Sequence, residues 1–189
     1  MNESNRIEEE MVSKLEKPIG KQKVLELAAI CVDDELVFKV FFKLMFHTDP
    51  LICFRAAWVL ETTAILNVAT IQVILPEFID KFPSITNLSC KRHITRIIIV
   101  LNKQSADSPN YKNYRNLNLD KVVDALFLWL VDENTPVAVK ANCMEALTGF
   151  INTHSWVKDE LIATVDYLSC RESVAFYGRL KKIRRHLKS

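Results

Sequence analysis

Glycine is scarce in this sequence: Gly20, Gly149 and Gly178 are the only three in 189 residues. Phosphate-cradling loops and tight β-hairpins need residues that tolerate positive φ, so a P-loop enzyme, a dinucleotide-binding fold and a hairpin-rich β protein are set aside. No uninterrupted apolar run reaches the roughly 18 residues of a membrane-crossing helix, and no membrane span is expected. Met1 to Glu10 is polar and acidic, the opposite of a secretory leader. Cys31, Cys53, Cys90, Cys143 and Cys170 are odd in number and contain no Cys-x-x-Cys pair. Set mostly among apolar residues, they read as reduced core thiols of a cytoplasmic protein rather than as disulfides or a zinc site.

Catalytic signatures are missing as well. His47, His93, His154 and His186 are far apart, with neither metal-ligand spacing nor an i,i+4 partner, and read as isolated surface or interhelix histidines. No serine stands in a nucleophile elbow and no cysteine has an evident histidine partner. Asp33-Asp34 and Asp159-Glu160 fall at or near helix starts, where carboxylates favour the macrodipole. No catalytic residue, metal or cofactor is therefore expected, and an enzyme is the less favoured class.

What is present is an ordinary globular composition, 49% hydrophobic and 25% charged, enough for one packed domain. The net charge of +2 is unevenly spread: Arg171 to Ser189 holds seven Lys/Arg against Glu172, about +6, which leaves the remainder near −4. Attraction to an anionic partner such as nucleic acid would sit at that C-terminal end. Apolar residues recur at spacings of three and four, without period-two alternation, so the chain is predicted to be all-α. A first helix carries Ile7, Met11 and Leu15 and breaks at Pro18-Ile19-Gly20; a second carries Val24, Leu27, Ala28 and Cys31. A third runs from Asp34 to Phe46 and is closed by His47-Thr48-Asp49-Pro50.

That closure is also an opening. Asp49 suits an N-cap and Pro50 the first helical position, where a missing N–H costs nothing. Thr135-Pro136 repeats the punctuation. The helices that follow contain Ile52-Cys53-Phe54-Arg55-Ala56-Ala57-Trp58-Val59-Leu60 and Val139-Lys140-Ala141-Asn142-Cys143-Met144-Glu145-Ala146-Leu147. Both begin aliphatic, place small or adaptable residues fifth and sixth, and end in an apolar pair. His93-Ile94-Thr95-Arg96-Ile97-Ile98-Ile99-Val100-Leu101 is in phase with them; Ile94, Ile97, Ile98 and Leu101 share one helical face, so this β-branched run is predicted as helix. A diverged fourth copy would end at Leu187. The closing leucines are 41, 46 and 40 residues apart, the period of paired-helix repeats.

Val139 to Leu147 resembles the second-helix consensus of HEAT repeats, with its aliphatic-basic start and Ala-Leu close, and the Asp49-Pro50 start is similar to the same family. Arg55 is displaced from the family's usual basic position. The resemblance covers about Asp34 to Leu187 and implies a HEAT/armadillo-like superhelix of four to five antiparallel helix pairs: a capping pair over 1–33, repeats over 34–66, 68–103, 119–152 and 156–189, and a long loop over 104–117. Partner helices are expected at Asp34 to Phe46, Val68 to Phe82 (bent by Pro76), Leu119 to Val131 and Trp156 to Leu168.

The resemblance also implies that second helices line a concave face. Repeat alignment sets Arg55, Arg96, Asn142 and Lys182 in one row, with Trp58, Ile99, Glu145 and Arg185 three residues on. In the loop, Tyr111 and Tyr114 interleave with Lys112 and Arg115. Two functions fit. The first is a non-enzymatic scaffold that binds a protein or peptide along that face. The alternative is a nucleic-acid binder or HEAT-repeat DNA-base glycosylase of the alkylation-repair type, using a basic groove with Trp58. The row lacks a clear acidic residue beside Trp58, and Glu61 is a poor substitute on spacing. Tyr111 and Tyr114 either contact the partner or pin the loop.

Overall fold

A computed structural model describes residues 3–169, 176–178, 180, 181, 183 and 184. The described residues form ten α-helices and two short 3-10 segments, with no strand. The helices are α1 (Glu3–Glu16), α2 (Lys21–Asp33), α3 (Glu35–Leu44), α4 (Pro50–Leu66) and α5 (Leu75–Lys81). They continue as α6 (Leu88–Asn102), α7 (Pro109–Arg115), α8 (Asp120–Val131), α9 (Val137–Thr148) and α10 (Val157–Ser169). Ile94 to Leu101 is helical, as its phase predicts.

Side-chain caps start three of these helices. Asp34, Asp49 and Asn87 each accept two backbone N–H bonds from the first turns of α3, α4 and α6, the donors that an α-helix leaves unpaired. No described residue has positive φ, which accounts for the poverty of glycine: the turns are built from αR and extended residues. Pro50 takes the first position of α4 as expected. Pro136 does not repeat it; it is itself the N-cap of α9, without a side-chain bond. Asp132 organises that turn instead, accepting from the Asn134 backbone N–H at 3.0 Å and from the Thr135 hydroxyl at 3.2 Å.

The helices stack in two layers. α2, α4, α6 and α9 pack side by side in succession as one layer, here the inner one, while α3 packs on α4 and α8 on α9 from the other, outer layer. α1 packs on α3 in the outer layer. A helix in the middle of such a stack has neighbours on several sides, which is why α4 buries Ile52, Ala56, Ala57, Val59, Leu60, Thr63 and Ala64 rather than one narrow stripe. Ala57, Ile98 and Met144 occupy equivalent fully buried places, and the closing Leu60, Leu101 and Leu147 are each at most 1% exposed. The repeat phase read from the sequence is therefore the packing phase. Beyond α10, Phe176, Leu180 and Ile183 are buried as well.

Two expectations change. The segment 68–84 is not one helix bent by Pro76: a 3-10 segment over Val68–Val73 precedes α5, and another over Phe82–Ser84 follows it. Pro76 stands in the first turn of α5, where proline starts a helix rather than bending it. The second change is at 104–117, predicted as a loop, which contains α7. Pro109 opens this helix after Ser108, and Tyr114 is completely buried. Polar composition hid it, because only Tyr114 of its seven residues is buried.

Candidate interaction face

The inner layer carries the row aligned from the repeats, and three members turn toward the preceding part of the stack. Arg55 Nη1 donates to the carbonyls of Leu15 at 2.6 Å and Glu16 at 3.2 Å. These are orphan acceptors at the C-terminal end of α1, where the helix dipole favours a cation. Arg96 Nε donates to Glu61 Oε1 on α4. Asn142 Nδ2 donates to the Arg92 carbonyl on α6 at 3.1 Å. Three residues on from Asn142, Glu145 accepts from Lys103 Nζ at 2.6 Å, joining α9 to α6. Ile99, at the corresponding place in α6, is buried. Lys182 and Arg185 lie outside the described residues, as do His186 and the end of the fourth copy.

Trp58 is half-buried. Its ring stacks on Phe54 at 6.1 Å between centroids and on His93 at 6.3 Å, so two turns of α4 and the start of α6 share one aromatic cluster. His93 is not isolated: Nδ1 lies 2.5 Å from Glu61 Oε2. Glu61 is 7% exposed, so a buried carboxylate is shared between an imidazole and a guanidinium from the next repeat. Such a group needs partners, since an unpaired buried charge is costly. His93 Nε2 is buried without a hydrogen-bond partner. Glu61 and His93 are 32 residues apart; the clue in the sequence is that Glu61 directly follows a closing leucine while His93 opens the next aligned segment.

The two tyrosines differ. Tyr114 is 0% exposed, and burial pushes its phenol above the ordinary value. Tyr111 is half-buried. Both rings face the Arg115 guanidinium, at 5.0 Å and 5.2 Å, and Phe150 faces it at 5.1 Å. Arg115 Nη2 also donates to Asn102 Oδ1 at 3.0 Å and the Gly149 carbonyl at 2.6 Å. Tyr114 and Arg115 therefore fasten α7 onto the ends of α6 and α9.

His47 and His154 also have local partners. Asp49 N donates to His47 Nδ1 at 3.0 Å, and His154 Nε2 lies 3.2 Å from Asp120 Oδ1. Among the described residues, no group of three or more His, Cys, Asp or Glu is placed to hold a metal ion, and no helix is long and apolar enough to cross a membrane.

Stacked helix pairs with a continuous inner layer define a helical-repeat array. The chain belongs to the HEAT repeat domain family, which it matches over residues 11–183. Neither a curated protein nor a solved structure matches it. HEAT repeats generally serve as protein-interaction scaffolds.

Proposed function

We infer that the chain is a non-enzymatic scaffold that binds a protein or peptide on the face of its inner layer, around Trp58. One observation carries this reading. The described row residues Arg55 and Arg96 each bond to an acceptor within the array, Arg96 through Nε alone, while the Phe54–Trp58–His93 cluster keeps an aromatic edge at the surface. Partly exposed aromatics with polar neighbours are the usual anchors of protein interfaces. A groove for nucleic acid needs cations free to displace counterions from phosphates. Here Arg96 is drawn onto Glu61 and Arg55 onto carbonyl groups. Glu61, the carboxylate nearest Trp58 in sequence, is buried and doubly paired, an arrangement suited to holding helices together.

A salt titration tests the choice. Binding of the full chain to single-stranded and mixed duplex DNA is expected to be weak at low salt and absent at physiological salt, because the densest run of cations is the C-terminal segment and not the face around Trp58. Tight binding that survives physiological salt, and that Trp58→Ala and Arg96→Ala weaken, would establish the nucleic-acid alternative instead.

A further inference from the structure

The first turns of α4 and α6 lie side by side, and the cap of α6 reaches across to α4. Asn87, which caps α6 through its carboxamide oxygen, donates its Nδ2 to the Pro50 carbonyl of α4 at 3.2 Å. This contact brings Cys53, four positions into α4, against Cys90, three positions into α6. Their Sγ atoms are 2.9 Å apart, and both residues are buried. Cys53 Sγ is also 2.8 Å from the Met45 carbonyl. As a thiol, Cys53 donates to that carbonyl, so the S–H between the two sulfurs belongs to Cys90. A Cys53 lone pair thus faces Cys90.

The two sulfurs differ in access. Cys53 lines a cavity of about 460 Å³, whose wall includes Met45, His47, Pro50 and Asn87. Cys90 is behind it at 0% exposure. The bond from the Cys90 S–H holds the Cys53 thiol below its ordinary value despite burial, while the same contact and burial raise that of Cys90. Both positions are at the positive end of a helix, which favours a thiolate. Cys31 and Cys143 provide the contrast: both are fully buried, and burial pushes the Cys31 thiol up to about 12 and the Cys143 thiol above its ordinary value.

We propose that Cys53 and Cys90 are a peroxide-responsive thiol pair, in which Cys53 is the attacking sulfur and Cys90 the resolving one, and that oxidation staples α4 to α6 across neighbouring repeats. In the first step, Cys53 loses its proton to water in the cavity. The thiolate attacks one oxygen of a hydroperoxide, forming S–O and breaking O–O. With hydrogen peroxide, the leaving hydroxide takes a proton and departs as water, leaving a sulfenic acid on Cys53. In the second step, Cys90 sulfur attacks Cys53 sulfur. An S–S bond forms, S–O breaks, and the Cys90 proton leaves with the hydroxyl as a second water. Two thiols are oxidised by two electrons and one peroxide is reduced. The sulfurs approach from 2.9 Å to the roughly 2.05 Å of a disulfide, a movement within the reach of side-chain rotation.

The reduced full-length chain, treated with one equivalent of hydrogen peroxide and digested without reductant, tests this by mass spectrometry. The expected product is a Cys53 peptide joined to a Cys90 peptide, two hydrogens lighter than their sum and separated again by dithiothreitol. Cys31 and Cys143 should remain thiols. In Cys90→Ser, Cys53 should stop at a sulfenic acid that dimedone captures; in Cys53→Ser, Cys90 should stay reduced. Circular dichroism checks that each variant folds, and the wild-type map alone decides should either fail. A folded wild type in which Cys53 stays reduced, oxidises without joining Cys90, or oxidises no faster than Cys31 and Cys143 overturns the proposal.

Discussion

Glu61 shows how much one side chain contributes to this array. Its carboxylate receives His93 and Arg96 from the next repeat in a position that is 7% exposed. Glu61→Ala leaves a buried imidazole without its acceptor and should cost about 1–3 kcal/mol in chemical denaturation. A change within experimental error would mean that water replaces the carboxylate without loss. Leu147, fully buried in α9, contributes through packing: Leu147→Ala should cost about 2–5 kcal/mol from lost transfer energy and the cavity left behind. Gly149 is required by a close approach. A Cβ there would stand 2.4 Å from Asn102 Nδ2 and 2.7 Å from Asn102 Cβ. Asn102 is not free to yield, being bonded to the Ala146 carbonyl and to Arg115. Gly149→Ala should therefore destabilise by about 1–3 kcal/mol, as overpacking does, whereas helix propensity alone would make it stabilising. The sign of the shift in melting temperature separates the two.

At the level of elements, much of the array was legible because repeat phase and packing phase coincide. Leu60, Leu101 and Leu147 could be aligned from sequence, and all three are enclosed. The β-branched Ile97-Ile98-Ile99 run is legible as helix because Ile94, Ile97, Ile98 and Leu101 share a face. What stayed illegible depends on contacts between repeats. Nothing local to His93 announces Glu61, and nothing local to Cys53 announces Cys90. The helix α7 is illegible for a related reason: it is held by Arg115 against Asn102 at the end of α6 and against Gly149 and Phe150 just past α9. Arg115→Ala should raise hydrogen exchange over residues 103–118 while α4 and α6 keep their protection. Exchange rising equally everywhere would make α7 part of one cooperative unit with the core. The turn before α9 has a pH signature. The Asn134 backbone N–H, foremost among its bonds, holds the Asp132 carboxyl below the ordinary carboxylate value. A folded-state value below the unfolded one contributes stability above the unfolded value, which is lost as pH falls through the folded one. The stability gap between wild type and Asp132→Ala should therefore narrow on acidification below about pH 4. A gap that widens there would contradict the assignment.

At the level of the molecule, the array has two exposed sides of different character. The inner layer offers the Phe54–Trp58–His93 cluster, flanked by residues that tie one repeat to the next. The outer layer exposes Leu128, 66% accessible on α8, and sets Phe127 and Trp156 5.4 Å apart. A scaffold that works through its inner layer should contact its partner at position 58 and not at position 128. Photocrosslinking reads this directly: a benzophenone side chain replaces Trp58 in one variant and Leu128 in another, and adducts are compared after nuclease treatment of the producing cells' extract. The account predicts discrete, nuclease-resistant protein adducts from position 58 and none of them from position 128. Adducts that form only at position 128, or adducts at position 58 that consist of nucleic acid, would contradict it.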